Sequence, residues 1–343
     1  MCLFALRAGD IGIDLGTSNV LVATKDRGII LREPAVVAIN IRTRKIVATG
    51  LEAKEMIGRT PEAIKALNPL KGGVIADFTA TKLMLKNIFK KLNRRYNIKR
   101  PRVICSVPFG ITEVEENAVK EAIVQAGGKE VYLIDAPLAG AIGVGMHIEE
   151  PTGKMITDIG GGITEVAIIS LGSIVVSESI KTAGDEMDAD IINYMKRIEN
   201  LAIGETTAEE LKMELGCAMP LIEEKSVEIR GRDLKTGLPK NVTVTSTQIL
   251  EAMDDSINKI VNTIKLTLEK TPPELAADLI EKGIVLIGGG AKIKNMDQLI
   301  SNIVKMPVYV AENALESVVN GTQKTLQELN KLKCASTNVR RYK

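Results

Sequence analysis

The sequence predicts an α/β fold with mainly parallel strands, organised as two related halves. Three observations point there. Short β-rich runs ending in turn residues alternate with stretches of helical periodicity. An acid ahead of a tight glycine turn closes a strand twice, at Asp14-Leu15-Gly16-Thr17 and at Asp158-Ile159-Gly160-Gly161. These stand 144 residues apart, about one domain length. The alternation breaks at two places, one in each half, and each break reads as an inserted hairpin.

The strands are GDIGIDLG (9–16), RVICSV (102–107), EVYLID (130–135), KMITDIG (154–160) and GIVLIGGG (283–290). The first insertion, PAVVAINIRTRKIVATG (34–50), reads as a small hairpin. Over 79–95 the apolar Met84, Leu85, Ile88, Phe89 and Leu92 recur at helical spacing and define one buried face. Residues 112–128 open with a capping box, Thr112 to Glu115, and stop at a glycine pair. GDEMD (184–188) opens another helix. TTAEELKMELG (206–216) is expected to repeat the capping box with Thr206 and Glu209. The second insertion, SVEIRGRDLKTGLPKNVTVTS (226–246), reads as a larger hairpin with a Gly-Leu-Pro turn.

Composition removes several function classes. With 343 residues, 45% hydrophobic and 26% charged, the chain has the profile of a soluble globular protein of about two domains. A net charge of +2 provides no field for nucleic acid, although NRRYNIKRPR (93–102) and NVRRYK (338–343) are locally basic. Such patches are ordinarily solvated loops. Cys2, Cys105, Cys217 and Cys334 are scattered without a C-x-x-C pair, which signals neither zinc nor disulfides and suits a reducing cytoplasm. No apolar run is long enough to span a membrane, and MCLFAL (1–6) is too short for a signal peptide. G-x-x-x-x-G-K-[ST], G-x-G-x-x-G and G-x-S-x-G are all absent. His147, the single histidine, leaves no paired-histidine metal site and reads as a surface or loop residue.

The remaining chemistry is glycine-rich. Glycine turns let backbone amides converge on phosphate oxygens with no Cβ in the way. Gly16-Thr17-Ser18-Asn19 supplies amides and two hydroxyls, and Gly160-Gly161-Gly162 supplies a second set. Asp14 and Asp158 beside them are suited to holding water on a Mg²⁺ that neutralises phosphate charge. In a duplicated unit the two hairpins would face each other across a cleft. Gly184 would allow close approach of a ribose or base, and Glu209 and Lys212 share a helix face. That pair is either a surface ion pair or a clamp on ribose and adenine. IGGGAK (287–292) ends a strand with three more glycines.

GIDLGTSN, DIGGGITEVAIISLG, AGDEMDADIINY, TAEELKMELG, TPPELAADLIEKGIVLIGGGA and MPVYVAEN, in this order from about Gly9 to Gly321, resemble the MreB family of bacterial actin homologues. The resemblance implies two actin-like domains, each with a small subdomain, around an ATP·Mg²⁺ cleft. The first would be 1–145 with an insertion at about 33–67; the second would be 146–343 with an insertion at about 181–245. The segment at about 315–335 would return to the first domain. The resemblance implies phosphate loops at Gly16, Thr17, Ser18 and Asn19 and at Gly160, Gly161, Gly162 and Ile163. It places Gly184, Asp185 and Glu186 near the nucleotide, Glu209, Glu210, Leu211 and Lys212 on the adenosine, and Gly288, Gly289, Gly290, Ala291 and Lys292 beside the base. Asp14 and Asp158 would reach Mg²⁺ through water.

Two positions depart from the family. Ile163 stands where threonine is usual, and Ala136 stands where the family has the glutamate, just before Pro137, that orients the attacking water. A methyl and a branched alkyl cannot hold a water for phosphoryl transfer. Asp135 is the remaining polar candidate, as a weak substitute. The expectation is an ATP-binding, self-polymerising filament protein, a weak ATPase at most. Its role would be cell shape or, in a wall-less helical bacterium, helicity and motility. An actin-fold small-molecule kinase is the alternative. The family also implies a cytoplasmic location at the inner face of the membrane. Residues 1–6 and 93–102 would meet anionic lipid, and paralogues or other cytoskeletal proteins are further candidate partners, without nucleic acid.

Overall fold

The computed structural model describes residues 9–332 and 340–342. They form two compact units. The first runs to Glu150 and adds Leu171–Ser173 and the segment from Glu316; the second holds Pro151–Ser170 and Ile174–Leu315. The apolar segment 1–6 lies outside the described residues.

The first unit starts with β1 (Ile11–Leu15), β2 (Asn19–Thr24) and β3 (Gly28–Pro34), joined as an antiparallel meander. The inserted hairpin follows as β4 (Val37–Asn40) and β5 (Ile46–Thr49). Beyond α1 (Leu51–Glu55), β6 (Ile64–Leu67) pairs with the other side of β4. A two-residue-strand hairpin, β7 (Leu70–Lys71) and β8 (Val74–Ile75), then leads into α2 (Phe78–Tyr96). The Asp77 carboxylate accepts from the Ala80 amide at 2.9 Å and starts this helix, while left-handed Asn97 (φ 54°) ends it. Its predicted face, Met84, Leu85, Ile88, Phe89 and Leu92, is buried throughout. β9 (Arg102–Val107), α3 (Glu113–Ala126) and β10 (Glu130–Asp135) make a parallel crossover. Both halves of the Thr112–Glu115 capping box are formed, and Gly127 (φ 119°) closes α3. α4 (Ala136–Val144) leaves β10 directly, with Pro137 in its first turn.

In the second unit, β11 (Lys154–Ile159), β12 (Thr164–Ser170) and β13 (Ser173–Ile180) repeat the meander. Then come α5 (Gly184–Ile198), β14 (Leu201–Ala202), α6 (Glu205–Leu215), β15 (Ser226–Asp233) and β16 (Pro239–Thr245). The last two form the predicted long hairpin, and β14 adds a third strand to it. α6 corrects one expectation. It begins at Glu205 with Gly204 as its cap, so Thr206 lies inside the first turn and makes no cap. The reason is that the Ala208 amide already bonds the Gly204 carbonyl, at 3.1 Å, which starts the helix two residues early. α7 (Ser246–Glu269), α8 (Pro273–Lys282), β17 (Ile284–Ile287), α9 (Met296–Val304) and β18 (Val308–Val310) complete a five-stranded sheet, β13-β12-β11-β17-β18. Its core gathers Met155, Ile168, Met187, Ile191, Met253, Ile257 and Ile260 from both strands and helices. Truncating one of these to alanine costs about 2–5 kcal/mol.

The chain then re-enters the first unit as α10 (Ser317–Leu332) and β19 (Arg340–Tyr342). β19 joins β10 antiparallel and completes the sheet β19-β10-β9-β1-β2-β3. α10 buries Val318, Val319, Thr322 and Leu326. A Cβ on Gly143 of α4 would overlap the Ser317 carbonyl, and one on Gly321 would overlap that of Ala139. The two helices therefore cross backbone on backbone. Among the described residues no helix is long and apolar enough to cross a membrane.

The duplication read from the sequence is present at the level of register. In the first unit β1 pairs antiparallel with β2 and parallel with β9; in the second β11 pairs antiparallel with β12 and parallel with β17. Leu15 faces Val20 and Ile159 faces Thr164, so each pair encloses a four-residue turn.

Candidate functional site

The first turn, Gly16 to Asn19, is closed by the Gly16 amide donating to the Asn19 carbonyl at 3.0 Å. A Cβ on Gly16 would stand 2.9 Å from that carbonyl, so the tight closure needs glycine. The Ser18 carbonyl accepts from the Ala35 amide (2.9 Å), and Thr17 Oγ1 accepts from the Gly73 amide (3.0 Å). Because Thr17 accepts there, its own hydroxyl proton remains available to an anion.

Asp14, two residues before the turn, is half-buried, and burial pushes its carboxyl up to about 6. The Ser106 hydroxyl, at the end of β9, donates to Asp14 Oδ1 at 2.9 Å and partly offsets that shift. The neighbouring Cys105 thiol is buried and pushed up in turn, by desolvation first and by Asp14 second. Asp135 and Ala136 sit where β10 passes into α4. Ala136 is buried, and burial pushes the half-buried Asp135 carboxyl up to about 6.

The second turn, Gly160 to Ile163, has the same closure: the Gly160 amide donates to the Ile163 carbonyl at 3.0 Å. It is braced by the start of α5. The Gly184 amide donates to the Gly160 carbonyl (3.2 Å), and the Asp185 amide donates to the Gly161 carbonyl (2.7 Å). Lys212 on α6 reaches this junction. Its ammonium donates to the Gly184 carbonyl and to Asp188 Oδ2, both at 2.7 Å. Burial pushes the Asp188 carboxyl up to about 6 despite the opposing pull of Lys212. Asp188 Oδ1 is buried with no hydrogen-bond partner.

On the same unit Gly288 (φ 84°) packs so tightly that a Cβ there would overlap Asp158 Oδ1 and the Ile159 carbonyl. Its amide donates to the Ala314 carbonyl at 2.9 Å. Gly290–Lys292 form a single 3₁₀ turn, with Ala291 buried and Gly289 and Lys292 exposed. On α6, Leu211 is buried in the core, Glu209 is half-buried and Glu210 is exposed. Within the second unit, then, the structure brings Gly184, Asp185 and Lys212 onto the 160–163 turn and Gly288 onto Asp158. Within the first it brings Ser106 onto Asp14 and Gly73 onto Thr17.

Among the described residues no three histidine, cysteine or acidic side chains converge, so no protein cage for a metal is formed. Asp14 and Asp158 are oxygen donors at strand ends beside amide-rich turns. Each, within its own unit, offers the hard oxygen donor that a hydrated cation such as Mg²⁺ takes. Ser106, Gly73 and Asp188 were not singled out from the sequence. A hydroxyl at the end of the strand beside β1 was the available signal for Ser106, and an acid one turn into α5 was that for Asp188.

A sequence profile described as MreB/Mbl protein matches residues 8–334. The cell shape-determining protein Mbl of Bacillus subtilis (strain 168) is 49% identical over 325 residues, covering 95% of this chain and 98% of that protein. The cell shape-determining protein MreB of Escherichia coli (strain K12) is 45% identical over 328 residues, 94% of each chain. Among solved structures, MreB5 of Spiroplasma citri bound to ADP superposes with a TM-score of 0.90 at 39% identity, covering 95% of this chain and 99% of that one. The MamK double helical filament, at 19% identity and a TM-score of 0.78 over 93% of this chain and 98% of that one, shares the fold. The duplicated α/β architecture is the actin-like one, and the chain belongs to the MreB/Mbl family.

Proposed function

We propose that this chain is a cytoskeletal protein that binds ATP with Mg²⁺, polymerises in that state and hydrolyses the nucleotide slowly. The observation that carries the reading is the pair of identically closed turns, each one residue beyond a strand that ends in an aspartate and a hydrophobic residue. Two S. citri MreB5 structures, at 39% and 37% identity, hold ADP and AMPPNP, which supports a nucleotide here. Thr17, Ser18 and Asn19, with Gly160, Gly161, Gly162 and Ile163, take phosphate oxygens on their amides and hydroxyls. Asp14 and Asp158 hold the hydration shell of a Mg²⁺, whose contribution is to neutralise phosphate charge. Glu209 and Glu210 face the adenosine, with Gly184–Glu186 and Gly288–Lys292 lining its approach.

Ala136 and Ile163 present only alkyl groups where a water must be held, so binding survives where hydrolysis is slow. Asp14→Ala or Asp158→Ala lowers Mg²⁺-dependent ATP affinity by a few kcal/mol, about the worth of a charged contact. Calorimetry that finds both variants unchanged would sink the assignment. Sedimentation with ATP tests the polymer, and a wild-type chain that stays in the supernatant under all nucleotide conditions contradicts it. We also propose that the basic end of α2 meets anionic lipid. Arg94 lies in its last turn, and Arg95 and Arg27 each stack at 5.4 Å on the Tyr96 ring, which gathers charge on one surface. Each cation near such a surface contributes about 1 kcal/mol. Failure to co-sediment with anionic vesicles at low salt removes this part of the reading.

A further inference from the structure

The brace beneath the second turn decides which way its peptides point. The peptide units described are trans, so the carbonyl of one residue and the amide of the next face opposite directions. The Gly160 carbonyl is turned toward the Gly184 amide, and the Gly161 carbonyl toward the Asp185 amide. The Gly161 and Gly162 amides are therefore turned away from α5, outward from the turn. Without those two bonds the glycine peptides could flip freely, because glycine tolerates either orientation. A flipped peptide would present a carbonyl oxygen to an anion and repel it.

α5 keeps this hold only while its first turn stays in place. That turn has no side-chain cap of its own, since Ala183 is the capping residue. Lys212 supplies the missing restraint from a different helix. Its side chain is largely buried, at 14% exposure, and the ammonium joins the first-turn carbonyl of Gly184 to the Asp188 carboxylate one turn further on. Gly184 lies close to both groups, since a Cβ there would stand 3.2 Å from Lys212 Nζ and 3.4 Å from the Gly160 carbonyl. Lys212, Gly184 and Gly160 form one continuous contact.

We propose that Lys212 is a positioning residue that acts on the phosphate turn through α5, keeping the Gly161 and Gly162 amides aimed outward. This rests on the nucleotide reading above for its consequence, but the orientation of the amides stands apart from it. Lys212→Met removes the ammonium and keeps the apolar stem. Two measurements follow: NMR of the ¹⁵N-glycine-labelled, nucleotide-free chain, and calorimetric titration with Mg²⁺·ATP. The expected result is that the Gly161 and Gly162 amide signals shift or broaden while those of Gly12 and Gly127, in the first unit, stay in place. ATP affinity is expected to fall about tenfold, the scale of one charge-assisted hydrogen bond.

Unmoved glycine signals with weakened ATP binding would overturn the proposal and make Lys212 a direct contact to the nucleotide. Unmoved signals with unchanged affinity would overturn it also. If Lys212→Met does not fold, Asp188→Asn, which keeps the side-chain shape and loses the anion, carries the same two readouts with a smaller shift expected. A wild-type chain that takes up no ATP would overturn the nucleotide reading alone, because the glycine signals still report whether Lys212 holds the turn.

Discussion

The two turns are the same shape and are held by different means. Each is closed by a first-to-fourth backbone bond of 3.0 Å, and each follows an aspartate two residues before its first glycine. Around Gly16–Asn19, the work is done from neighbouring loops and a strand: Gly73 on the Thr17 hydroxyl, Ala35 on the Ser18 carbonyl, and Ser106 of β9 on Asp14. Around Gly160–Ile163 the turn has no polar side chain of its own, and a helix start and a buried lysine take over. Asp158 lies against the bare backbone of Gly288, and Asp14 accepts from the Ser106 hydroxyl. One backbone geometry thus stands on two different sets of contacts, and a closed turn by itself says little about which side chains maintain it.

The comparison breaks most visibly at Gly288. Gly288→Ala must place a methyl on Asp158 and on the Ile159 carbonyl in a left-handed conformation, and we expect a loss of about 3 kcal/mol or more in urea denaturation. A variant within 0.5 kcal/mol of wild type would mean that the close packing at Asp158 relaxes at little cost. Next in size is the proposed effect of Ala136 and Ile163, one in each half of the sequence. Ala136→Glu with Ile163→Thr is expected to raise phosphate release about ten- to a thousandfold, each 1.36 kcal/mol being a factor of ten, with little change in ATP affinity. A double variant no faster than wild type, or a wild-type rate already equal to that of relatives carrying both side chains, tells against this account of slow turnover.

The smallest effect sharpens the contrast between the two acids. Ser106→Ala removes the hydroxyl that lowers the Asp14 pKa, so that carboxyl, already raised to about 6, rises further. A raised carboxyl costs stability as pH climbs past its unfolded value of 3.8 and through its folded one. The variant therefore loses about 1 kcal/mol above pH 7, where wild-type Asp14 is ionised and bonded to Ser106, and less near pH 4.5, where the folded chain is protonated either way. Denaturation at the two pH values measures it. An equal loss at both would mean that Ser106 acts through packing alone.

Much of the fold was legible because its signals are local. The face of α2 and the capping box of α3 depend on spacings of three and four residues, and both formed as read. The hairpins at 34–50 and 226–246 were equally local, but their third strands, β6 and β14, were missed because each is short and joins from elsewhere. The misplaced start of α6 shows a local rule outcompeted: a capping box was available at Thr206, and the backbone bond at Gly204 started the helix first. The glycine turns were readable as turns. Their supports were not, since Ser106 lies 92 residues from Asp14, Gly73 lies 56 from Thr17, and Asp188 lies 24 from Lys212. No periodicity links residues so far apart; the fold alone brings them together.

The return of α10 to the first unit has a consequence for synthesis. The first unit is interrupted in the chain by almost the whole of the second, and its α4 crosses α10 with no side chains between the backbones. On a ribosome, α4 is made about 180 residues before its partner face at Val318–Leu326. At about 5–20 residues per second that interval is roughly ten to forty seconds. The second unit, nearly continuous from Pro151 to Leu315, is itself being made during that time and ends only just before α10 begins at Ser317, so neither unit has all its residues until the chain is nearly finished. Until α10 arrives, the bare backbone around Gly143 and the buried strand β1 beside Gly12 lack their cover. Nascent chains stalled in this interval lack α10 together with the later strands of the second unit, which is the form a chaperone or protease would meet.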